Sequence, residues 1–173
     1  MTDLSTKTDK EIDQWIKNYE DVEAHPGATA LPFYRELLEE RARRAQTNQK
    51  LNFERSIEHL KRIAINQTCT TYGDLARASG VEWSHARHQM NGPSGHLDRL
   101  LDLCHARGLP LLTAIVVNQE GVADGELSDD ALSGFVAGAR RLGLSVTDGR
   151  AFHHECRDRC WQWGREQGER ASR

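Results

Sequence analysis

The chain has 173 residues, 38% of them apolar and 28% charged, which suffices for a buried core and excludes a disordered or fibrous class. A formal net charge of −3 excludes nucleic-acid binding by charge alone, since phosphate contacts need Lys and Arg. No apolar leader opens the sequence, and its longest apolar run is too short for a membrane span. Its four cysteines, without such a leader, read as the reduced thiols of a cytoplasmic protein.

"TDKE" (Thr8 to Glu11) is a capping box that starts a helix with Ile12, Trp15, Ile16 and Tyr19 on one side and an end near Asp21. "AHPGATALP" reads as a loop, and Pro32 suits the first turn of a second helix with Phe33, Tyr34, Leu37 and Leu38 inward. The basic end of that helix offers Glu39–Arg43 and Glu40–Arg44 as i,i+4 pairs, so its arginines read first as a solvated helix terminus. A third helix spans about Phe53 to Ile65, with Phe53, Ile57, Leu60 and Ala64 as its buried stripe.

"TTYGDLARASGVEWSHARHQMN" (Thr70 to Asn91) has the size, the glycine-bearing turn and the core pattern of a helix-turn-helix. Thr71 caps its first helix, with Tyr72, Leu75 and Ala76 inward. Gly80 ends that helix, Val81 fills the corner, and the second helix begins near Glu82 or Trp83 with Ala86 and Met90 inward. Ser84, Arg87, His88 and Asn91 then fall on the outer face; Arg87 suits guanine and Asn91 suits adenine. With Thr71 and Trp83 these form the candidate DNA-contacting set. The alternative for Arg87 is an ion pair with Glu82 or Asp98 on a solvated surface.

Downstream, Leu97, Leu100, Leu101 and Cys104 mark a helix that Gly108 terminates, and "LPLLTAIVVNQEG" reads as a buried strand reaching a turn at Asn118 to Gly121. Ser128 starts a helix with Leu132, Phe135, Val136 and Ala139 inward, its first turn carrying Asp129 and Asp130. A last helix carries Phe152, Cys156, Cys160 and Trp163 on one side. Of Trp161 and Trp163, one should be exposed. The pattern is mainly α, a winged helix-turn-helix core over 51–125 flanked by helical segments 1–50 and 126–173 that pack on it. Residues 51–118 carry a net charge of +1 and five of the eight histidines, while each flank is net −2.

"TTYGDLA…G…AR…N" resembles the DNA-binding half of the alkylguanine-DNA alkyltransferase family, and the chain as a whole is similar to small bacterial proteins. The resemblance implies a winged helix that binds DNA. The family's reactive cysteine sits in Pro-Cys-His-Arg, whereas here Cys104-His105 lies between Leu103 and Ala106, on an apolar stripe.

"HHECRDRC" (His153 to Cys160) offers zinc-type ligands, but Cys156 and Cys160 continue the apolar stripe, so no metal site is expected. No Ser/His/Asp grouping, phosphate-binding loop, dinucleotide fingerprint or His-Glu-x-x-His is present, so neither cofactor nor catalysis is expected. The leading reading is a DNA-binding regulator or accessory factor. Second comes an interaction module for a protein partner or a second copy of the chain, and third an alkyltransferase-type enzyme using Cys104.

Overall fold

In the computed structural model, which describes residues 2–173, eight α-helices dominate and helix makes up 67% of the chain. They are α1 (Asp9–Glu20), α2 (Pro32–Gln46), α3 (Phe53–Ile65), α4 (Tyr72–Ala78), α5 (Trp83–Met90), α6 (His96–Ala106), α7 (Asp129–Arg141) and α8 (Gly149–Ala171). Local chemistry sets most starts. Thr8 and Glu11 form the reciprocal capping box of α1, Pro32 opens α2, and the side chains of Asn52, Thr71, Ser128 and Asp148 accept amides at α3, α4, α7 and α8.

One hydrophobic core runs from Ile12 and Ile16 of α1 to Cys156 and Cys160 of α8, so both flanking segments pack on the middle of the chain. Helix α6 lies at its centre. Leu100, Leu101, Leu103 and Cys104 are buried as the apolar spacing requires, but so are His96, Arg99 and Asp102. Asp102 accepts from Arg41 of α2 at 2.8 Å and from Arg99 at 3.0 Å, and Arg141 of α7 stands 2.7 Å from its other oxygen. Arg141 also donates to Glu20 of α1 and to Asp98, while the Tyr34 hydroxyl donates to the same Glu20. Three helices, α2, α6 and α7, thus meet at one carboxylate that is 0% exposed, and α1 joins the network through Glu20. Such a network adds little net stability over apolar packing, but losing one partner costs about 3–5 kcal/mol because the others keep uncompensated charge.

The apolar run after α6 departs from the strand reading. Leu112–Ile115 is a 3-10 turn, and only Val116–Val117 (β2) is extended, pairing in parallel with Thr70–Thr71 (β1). Burial was legible, since residues 112–117 are all buried, but period was not. The run packs against α3, α6 and α8, whose backbones are already satisfied, so most of it finds no strand to pair with. Its carbonyls go to side chains instead: Ala114 O accepts from His153 Nε2 and Leu111 O from Cys160 Sγ. The turn expected at Asn118 to Gly121 is present as a further 3-10 turn, Gln119–Gly121.

Two smaller expectations also change. Arg43 pairs with Glu40 one helical turn back and not with Glu39, which is taken by Arg107 of α6's end. Trp161 and Trp163 are both half-buried, because the indole nitrogen of Trp161 reaches across to donate to Thr68 O.

Candidate nucleic-acid interface

The stretch 70–91 folds as two short helices around a tight corner. Thr71 ends β1 and caps α4, its hydroxyl accepting from the Asp74 amide at 3.1 Å. Leu75 and Ala76 are fully buried. Gly80, at φ 72°, takes the left-handed conformation that closes the helix, and the Val81 amide then returns to Ala76 O at 3.1 Å. Helix α5 follows with Ala86 and Met90 at 0% exposure. The unit is braced from α3's approach: the Asn52 amide donates to Ser79 Oγ and the Lys50 amide to Gln89 Oε1.

The sequence-derived contact set separates into three groups. Ser84, Arg87 and His88 are exposed on the outer face of α5, as expected. Trp83 is 38% exposed and stacks on Tyr72 with ring centroids 6.2 Å apart, walling one side of the helix pair. Thr71 is half-buried and committed to its cap, and Asn91 lies beyond the end of α5 with extended backbone. Asn91 is therefore exposed but not on α5, which ends at Met90 before Gly92 turns the chain at φ 89°.

Arg87 makes no ion pair or hydrogen bond with any described residue. Asp98, one alternative partner, is engaged by Arg141 and by the Ser94 amide. The guanidinium is thus free for an outside acceptor.

Beside α5 opens a cleft of about 440 Å³, lined by Arg41, Arg44, Arg99, His88, Asn91 and His96 among others. Its cations are largely compensated from within. Arg44 binds Asp9 and Glu40 and the Leu4 and Lys7 carbonyls, while Arg41 and Arg99 serve Asp102. Burial pushes the His96 imidazole down to about 4, so it adds no charge at neutral pH. The cleft is polar but not strongly positive.

Residues 110–121, expected as the strand and turn of a winged helix, contain no antiparallel hairpin, only the short parallel pairing of β2 with β1. Cys104 is 0% exposed and burial pushes its thiol up to about 12, which disfavours the thiolate that a nucleophile requires. Cys69, Cys156 and Cys160 are likewise buried free thiols. Histidine and carboxylate donors do converge elsewhere, where α8 meets the loop before α7.

No protein-family model matches this sequence, and neither a curated protein nor a solved structure matches the chain.

Proposed function

We propose that this protein binds double-stranded DNA through the α4–turn–α5 unit, with α5 in the major groove and α4 across the backbone. The observation that carries this reading is Arg87, an exposed guanidinium without an internal partner at the middle of α5's outer face. Its planar fork matches guanine O6 and N7, and Ser84 and His88 on the same face can donate to bases or phosphates. At eight residues, or about 12 Å, α5 suits a single groove and a short site. The reading uses a helix pair without a hairpin wing. With a net charge of −3 and a compensated cleft, few phosphates are engaged, and the salt dependence is correspondingly shallow. An anisotropy titration of mixed-sequence duplex at about 50 and 200 mM salt tests this; binding at the lower salt that weakens modestly at the higher is expected. Absence of binding at both refutes it.

A second reading rests on a different feature of the same face. The Trp83–Tyr72 stack presents a half-open indole beside a weakly charged helix, the kind of anchor that protein interfaces favour. Failure of the DNA titration would favour this one.

A further inference from the structure

Three ligating side chains meet outside the helix-turn-helix: His153 and His154 in the first turns of α8, and Glu126 in the loop leading to α7. One donor atom from each lies within 4.8 Å of the other two. His153 is 0% exposed, and its Nε2 stands 2.9 Å from Ala114 O. A carbonyl only accepts, so Nε2 carries the proton and Nδ1 presents a lone pair. That Nδ1 is buried and has no hydrogen-bond partner. The second imidazole repeats the anomaly. His154 Nε2 is 2.6 Å from Glu126 Oε1, yet the pair lacks the direction of a hydrogen bond, and the nitrogen is buried without a partner. Both imidazoles thus keep a buried ring nitrogen without a partner, on two residues whose ligand atoms gather with that of Glu126.

The supports around the three are also in place. The Ala114 carbonyl fixes the ring of His153 as an outer partner fixes a ligating imidazole. The Glu126 amide donates to Asp124 Oδ1 at 3.0 Å, which sets the loop. Arg150 holds Glu126 Oε2 at 3.2 Å and leaves Oε1 toward the histidines. Arg157, 3.6 Å from Oε1, and Arg150 both repel a dication. An oxygen-seeking ion such as Ca²⁺ or Mg²⁺, held mainly by charge, is disfavoured by them and lacks enough carboxylates. An ion bound through imidazole nitrogens is not so restricted.

We propose that Glu126, His153 and His154 form a binding site for a divalent transition-metal ion of the Zn²⁺ class. Three protein ligands would leave one position of a tetrahedral ion open, and Glu126 and His154, each about one-third exposed, give the site access to solvent. The ion ties the loop before α7 to the start of α8.

The test is isothermal titration of the full chain with ZnCl₂ under reducing conditions, beside Glu126→Gln and His154→Ala. Both substitutions are at partly exposed positions, so the variants should unfold within a few degrees of the parent without metal. One ion per chain is expected for the parent, with affinity reduced by roughly tenfold or more in each variant. The Co²⁺ form should show no thiolate charge-transfer band. No binding by the folded parent, binding that neither substitution weakens, or a thiolate band would overturn the assignment.

Discussion

At the scale of single residues, burial decides which titratable groups can act. Cys104 and Cys160 are 0% exposed, and burial holds both thiols well above their ordinary range, while Cys156 is pushed up to about 11. Ellman's reagent should therefore modify none of these three in the native protein and all of them after denaturation. Rapid native labelling of Cys104 would contradict the packing described. His96 gives a signed expectation in acid. It lies flat on Phe53, 4.9 Å between ring centres, with Ser56 and Gln49 on its nitrogens, and burial lowers it from an ordinary 6.5 to about 4. Between those values the unfolded chain binds a proton that the folded one refuses. Stability from this group is complete above about pH 6.5 and is lost as pH falls toward 4, by about 3 kcal/mol. Burial lowers His59 and His153 too, adding in the same direction. Urea unfolding at pH 7 and pH 4.5 should show the loss, and His96→Gln should flatten the slope. Stability unchanged on acidification would contradict it.

At the scale of elements, what was legible in the sequence is what is decided locally. The bounds of α3, the Thr8–Glu11 box and the Gly80 corner follow from residues within one turn of each other. The buried charges of α6 were not legible, because Asp102 meets Arg41 across 61 residues and Asp98 meets Arg141 across 43. The 3-10 turn at Leu112–Ile115 was missed for a related reason: an apolar run reports burial, and its conformation is set by neighbours that have no free edge to offer. Contact between α3 and α8 is similarly hidden. A Cβ on Gly164 would sit 2.1 Å from Ala64 O, so α8 crosses α3 at bare backbone. Helix propensity alone makes Gly→Ala favourable by about 1 kcal/mol, but a clash with backbone cannot be relieved by a rotamer. Gly164→Ala should thus destabilise, by about 1–3 kcal/mol, in thermal unfolding; a stabilised variant would show that α3 and α8 pack less closely than described.

At the scale of the whole molecule, the charge balance bounds how the proposed DNA partner would be held. The −3 chain pairs many of its arginines internally, Arg41, Arg44, Arg99 and Arg141 among them, whereas Arg87 is an outward cation on α5. The geometry of the candidate site was partly legible: helical spacing placed Ser84, Arg87 and His88 on the exposed face of α5, while Asn91 falls one residue past the helix end. Glu126 could not be read as a partner of His153 and His154, since nothing local marks a loop carboxylate that the α7–α8 arrangement brings to them.

The most direct test of DNA binding through α5 is a side-by-side titration of parent and Arg87→Ala against one duplex at moderate salt. Arg87 is exposed and outside the Ala86–Met90 core face, so thermal stability should stay within about 0.5 kcal/mol. The expected result is a loss of about 1–3 kcal/mol in affinity with the fold intact. Equal affinities, or no binding by either protein, would contradict it.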